Sequence, residues 1–125
     1  AVGIADFMIN HLNMPEDKIP YWDFNAPDIP DAKRDVSAGA IMASALIELS
    51  GVVDSAASEK YLGIAETQLR SLSSPEYRAE AGENGNFILM HSVGSVPGNS
   101  EVDVPLTYAD YYFIEALLRY RDLPD

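Results

Sequence analysis

Residues 35–50, DVSAGAIMASALIELS, read as a helix without a polar face: Asp35 stands where a cap belongs, and Glu48 is the one other charged side chain. A helix that is apolar all round is enclosed on every side, in the core of something large or in a membrane. The stretch falls short of the roughly 18 apolar residues that a membrane span needs, so the first alternative holds. Asp35 can accept hydrogen bonds from the free amides of the first turn, and Gly51 is expected to close the helix as a left-handed C-terminal residue.

The rest of the chain sets that helix in a pattern. Ile4, Phe7, Met8 and Leu12 recur at helical spacing, so residues 1–13 are predicted helical up to Pro15. Residues 14–34, MPEDKIPYWDFNAPDIPDAKR, carry four prolines and no periodicity. A structureless stretch of that length is uncommon in a compact domain and is usually functional. Ser55–Leu72 reads as a half-buried helix with Ala57, Tyr61, Ala65, Leu69 and Leu72 on one side. Pro75–Glu80 can add a short turn of helix, and GENGN at 82–86 is turn chemistry. NFILMHS at 86–92 and EVDVPL at 101–106 flank VGSVPGN and predict a small β-hairpin. YADYYFIEALLRY at 108–120 is a fourth helix, again apolar around most of its circumference.

Helices alternate, then, between one-sided and all-round apolar. Two enclosed helices among four is too many for an isolated bundle, in which each helix keeps a wet face. Partner surface is expected from more of the same chain or from another copy of it. The small residues Ala38, Gly39, Ala40, Ala43, Ser44 and Ala45 permit the close approach of helices crowded around an axis.

Composition removes several functions. Eight basic against 20 acidic residues give a net charge of -12 over 125 residues, which opposes nucleic acid and anionic lipid. Without cysteine there is no thiolate catalysis and no Cys-based zinc site. The two histidines, His11 and His91, lie near no G-x-S-x-G turn and have no ligand-spaced companion for a metal. No cofactor is implied. Asp23, Asp28, Asp31 and Asp35 form an acidic run that departs from the calcium-loop template. The start at Ala1, lacking an initiator Met and a basic leader, reads as that of a processed product or an excised segment.

PYWDFNAPDIPDAKRDVSAGAIMASALIELS at 20–50 and EVDVPLTYADYYFIEALLRY at 101–120 resemble the C-terminal part of the unsaturated glucuronyl hydrolases, a glycoside hydrolase family. The runs W-D-F, D-x-S-A-x-A-I-x-A-S and D-Y-Y-F-x-E-A-L-x-R carry the likeness, in order and at matching spacing. The unsaturated rhamnogalacturonyl hydrolases share some of these signatures. The resemblance implies an all-α (α/α)6 barrel, six helical hairpins around an axis with the active site at one mouth. Residues 1–125 would form the C-terminal part of that single domain, its last two hairpins, with the helices beginning at Asp35 and Tyr108 in the inner ring.

It further implies a bacterial enzyme that removes a 4,5-unsaturated uronic acid from the non-reducing end of glycosaminoglycan oligosaccharides released by lyases. An aspartic acid protonates C4 and activates the water that adds at C5, after which the hemiketal rearranges and the glycosidic bond breaks. No position here matches the motifs of those aspartates, so the segment is expected to carry no catalytic residue. Compartment, periplasm or cytoplasm, stays open.

Ser92 and Ser95 match a family S-x-x-S element that holds a substrate sulfate; where a lysine follows in the family, this chain has Pro97. Losing that cation removes charge assistance to the sulfate. The candidate substrate contacts are thus His91, Ser92, Ser95 and Trp22, the indole as a stacking surface for a sugar ring. Each also has a plainer reading: hairpin serines are turn residues, a lone His is a satisfied structural group, and a Trp in a long loop pins that loop. Asp35 reads as a cap, and Asp110, Tyr111 and Tyr112 as packing. Against the enzyme stand a helical repeat module that binds a protein and a purely structural oligomer of the fragment. The repeat module does not account for the long segments 14–34 and 82–107, since repeats have short loops and self-similar sequence, and the oligomer would be told from a monomer by sedimentation.

Overall fold

The computed structural model describes residues 1–124. Four helices, α1 (Val2–Ile9), α2 (Val36–Ser50), α3 (Ser55–Leu72) and α4 (Thr107–Arg121), surround one apolar cluster, and two short strands, β1 (Ser92–Ser95) and β2 (Ser100–Val104), form a hairpin. The expected all-α architecture with a small β-hairpin is what is found.

The apolar helix is the centre of the fold. α2 packs on α3 along one side and on α4 along another. Val36, Ala40, Ala43, Leu46 and Ile47 are buried, the strip Ile41, Ala45, Glu48 is exposed, and Ala38 and Leu49 are half-buried. α3 keeps the wet outer face its sequence requires, with Tyr61, Ala65, Leu69 and Leu72 turned inward. α4 is half covered: Ala109, Phe113 and Ala116 are buried, whereas Tyr108, Tyr111, Ile114, Leu117, Leu118 and Tyr120 are exposed. Here the surface that the sequence leaves wanting is visible as a bare apolar flank.

Three boundaries differ from expectation. α1 stops at Ile9 because His11 turns out of the helical path to stack on Phe24, ring centres 4.4 Å apart, while its Nδ1 accepts from the Asn13 amide. Gly51 is right-handed, not left-handed: φ is −75°, its amide reaches the Glu48 carbonyl and that of Val52 the Leu49 carbonyl. The helix therefore tightens into a turn, and Asp54 caps α3 through the Ala57 amide. Residues 86–91 are not a strand, and the hairpin lies wholly within 92–104. Their backbone groups are taken elsewhere: Asp110 accepts from the amides of Ile88 and Leu89 at 2.8 and 2.9 Å, and Ala79 and Met90 donate across to Ile88 and Tyr77.

The long segment 14–34 is ordered around one carboxylate. Asp17 Oδ1 accepts from the Ile19 amide and from Arg34 Nη1, and Oδ2 accepts from the Tyr77 hydroxyl at 2.7 Å. Burial, then that hydrogen bond, pushes the Tyr77 phenol up. Gln68 and Ser71 of α3 donate to the carbonyls of Lys18 and Asp17. Ile19 is thereby buried completely against Gly39, where an added Cβ would stand 2.9 Å from Ile19 Cδ1. Small size at position 39 is what lets the segment cross α2.

Candidate functional site

Ser44 of α2 bonds to Glu115 of α4, and Glu48, one turn further on, pairs with Arg119, one turn further on in α4, so the two helices run side by side in the same direction. Their N-terminal ends therefore lie together, and the hairpin is fixed there. Asp35 does this twice over. Its Oδ1 accepts from the amide and hydroxyl of Ser37, as a helix cap does, and also from the Val93 amide of β1 at 3.1 Å. The Val36 amide, freed at the helix start, donates to the His91 carbonyl at 3.2 Å. Since the first amides of a helix lack intrahelical partners, the end of α2 is completed by the strand it holds.

His91 consequently stands at the joint of helix and hairpin. Its Nδ1 lies 2.6 Å from Asp103 Oδ1 on β2, and Asp103 Oδ2 accepts from Lys33 Nζ at 2.7 Å. Lys33 first and His91 second hold the Asp103 carboxyl below its ordinary range. Both members of the pair are left-handed, φ 64° at His91 and 60° at Asp103. Such backbone costs on the order of 1–3 kcal/mol per residue and persists where the surroundings over-determine it, as functional sites do.

The remaining candidates separate. Ser92 is completely buried and its hydroxyl has no partner among the described residues. Ser95 is engaged in its own turn, its Oγ accepting from the Gly98 amide at 3.1 Å. At Gly94 between them the hairpin is close, a Cβ there standing 2.9 Å from Glu101 Cβ on β2. Trp22 is half-buried, outside the main apolar cluster, and its amide donates to the Lys33 carbonyl. Through Lys33 the segment bearing Trp22 reaches Asp103 and so His91. The structure thus ties His91, Ser92 and the Trp22 segment to one end of the helix pair and leaves Ser95 on the turn beyond.

Three residues here were not singled out as contacts by the sequence: Asp103, Lys33 and Asp35 in its second role. Alternation along β2 places Asp103, but nothing local announces that Lys33, seventy positions away, shares it. At the other end of the pair, Ser44, Glu48, Glu115 and Arg119 form a polar knot between two otherwise apolar helices. Among the described residues no group of three or more potential metal ligands is assembled, and no helix is long and apolar enough to cross a membrane. What the hairpin end offers chemically is hydrogen bonding and ring contact.

Comparison with known proteins follows this geometry. No family model matches the chain. The unsaturated glucuronyl hydrolase of Formosa agariphila is 46% identical over 98% of the chain, which spans 30% of that protein's length. A crystal structure of an unsaturated glucuronyl hydrolase specific for heparin superimposes with a TM-score of 0.94 at 52% identity, covering 98% of this chain and 32% of that one. The Streptococcus agalactiae enzyme, a mutant complexed with dGlcA-GalNAc6S, does so with a TM-score of 0.83 at 32% identity, over 94% of this chain and 31% of that one. The chain thus spans about a third of the relatives it matches. Along nearly all of its own length, in sequence and in backbone alike, it is similar to about a third of the length of these unsaturated glucuronyl hydrolases.

Proposed function

We propose that residues 1–125 are the C-terminal part of one (α/α)6 domain whose whole hydrates the C4=C5 bond of an unsaturated uronic acid at the non-reducing end of glycosaminoglycan oligosaccharides. The observation that carries this is the pairing of α2 and α4: one nearly enclosed, the other half bare, parallel, with an ordered hairpin at their common N-terminal end. That is the arrangement of adjacent inner-ring helices opening at a mouth. The match to an enzyme holding dGlcA-GalNAc6S supports the substrate class.

In this reading the proton to C4 and the activation of water come from aspartates supplied by the rest of the protein. The present chain forms one side of the mouth, with the exposed His91 as its substrate contact, Ser92 buried beneath it, Ser95 in the hairpin turn and Trp22 on the segment that Lys33 ties to Asp103. General acid-base chemistry needs a carboxyl whose pKa is raised by burial or a like charge. None of the carboxyls clearly perturbed here is shifted upward; Asp6, Asp103 and Asp122 are all shifted down.

The test is turnover. The full-length protein that carries this segment should abolish the ultraviolet absorbance of an unsaturated glycosaminoglycan disaccharide, and residues 1–125 alone should not. No loss with any sulfated or unsulfated lyase product would overturn the proposal.

A further inference from the structure

We propose that Asn84 is a site of spontaneous deamidation: the unengaged amide of Gly85 attacks its side chain, ammonia leaves, and the carboxylate that remains releases the segment leading to His91. Asn84 is the asparagine of the chain that a glycine follows; the others precede His11, Met14, Ala26, Phe87 and Ser100. A residue without Cβ leaves its nitrogen open to approach. Asn84, Gly85 and Asn86 are all left-handed, φ 50°, 62° and 68°, a run that asparagine and glycine tolerate best. Gly85 is exposed, and a Cβ there would meet nothing closer than Phe87 Cδ2 at 3.8 Å. The Gly85 amide donates to nothing among the described residues, whereas those of Glu83, Asn86 and Phe87 all find carbonyls. The nucleophile is therefore free.

The side chain it would attack is in use. Asn84 Nδ2 donates to the carbonyls of Phe87 and Leu89 at 3.3 and 3.0 Å. Asp110 meanwhile takes the amides of Ile88 and Leu89. Residues 87–89 are thus held through their carbonyls by a donor and through their amides by an acceptor. Two positions on, the His91 carbonyl accepts from Val36 at the start of α2.

In the reaction the Gly85 nitrogen gives its proton to hydroxide and bonds to Asn84 Cγ. The Cγ–Nδ2 bond breaks, and Nδ2 takes a proton from water and departs as ammonia. Water then opens the five-membered imide, at Cγ to give aspartate or at the backbone carbonyl to give isoaspartate, whose chain runs through the former side chain. Either product carries a carboxylate, which only accepts. The Phe87 and Leu89 carbonyls then lose their donor, and one more negative charge joins a chain already at -12.

The full-length protein, held in mildly alkaline buffer, can be followed by mass for the replacement of an amino by a hydroxyl group. Arg78 and Arg119 bound a tryptic peptide that contains Asn84 and, as internal standards, Asn86 and Asn99. Conversion at Asn84 should run at least about fivefold faster than at Asn86, where the bulky Phe87 follows, and should quicken as pH rises. Asn84→Asp, which installs one of the products, should speed hydrogen exchange at Ile88, Leu89 and Met90 by about tenfold and leave the middle of α3 unchanged. Conversion at Asn84 no faster than at Asn86 would overturn the site, and unchanged exchange in Asn84→Asp would overturn its consequence. Should that variant not fold, wild type aged to full conversion supplies the exchange measurement. Both readouts are independent of turnover, so they stand whether or not the hydrolase reading does.

Discussion

At the scale of single residues, the chain relies on carboxylates that accept from backbone amides rather than on surface ion pairs. Asp110 is the clearest case. From the first turn of α4 it takes the amides of Ile88 and Leu89, and so holds a non-repetitive segment whose Leu89 side chain is fully buried. Removing such an acceptor strands partly buried donors, and hydrogen bonds to a charged group are worth about 1.5–3 kcal/mol. Asp110→Ala in the full-length protein is expected to lose about 2–4 kcal/mol in chemical denaturation, whereas Asp122→Ala, an exposed pair with its neighbour Arg121, should leave the midpoint unchanged. Equal losses would contradict this account. The sequence marks Asp110 only as packing at a helix start. That its partners lie some twenty positions back depends on how the chain returns, which no local pattern encodes.

Among the elements, helices are the most legible and the hairpin the least. α3 begins and ends where its periodicity places it, and α2 begins where Asp35 says it must. Local physics dominates there, since apolar spacing and an acceptor at the cap are both properties of consecutive residues. Gly51 misleads because glycine permits the left-handed turn without requiring it, and the short link to Asp54 is satisfied by a right-handed one. The hairpin is displaced because the apolar run at 86–91 finds acceptors on α4 and on residues 77–79 instead of pairing with β2. Of the candidate contacts, His91 and Ser92 are placed together by adjacency alone, while the Lys33–Asp103 bond that completes their setting is a tertiary fact. Asp35 links both kinds of order. Asp35→Ala should cost about 1 kcal/mol for the lost cap and a further 1–3 kcal/mol for the unpaired Val93 amide. Hydrogen exchange at Val93 should accelerate along with that of the first turn of α2. Exchange confined to the helix would show that the strand does not depend on this carboxylate.

For the whole molecule, the exposed flank of α4 defines what is missing. Tyr111, Ile114 and Leu118 line an apolar groove beside Thr107 and Asp110, and inner-ring neighbours in the proposed barrel would cover it. Ile114→Cys should accordingly react with a thiol reagent at least tenfold more slowly in the full-length protein than in residues 1–125 alone, because labelling then awaits local opening. Similar rates would mean that the flank faces water in the complete protein. Asp35 has one last implication at this scale. A single carboxylate grips both an interior helix and the strand at its tip, so an outward swing of the hairpin would strand the Val93 amide and the first amide of the helix together. This side of the proposed barrel would then present a contour already in place before anything arrives at it.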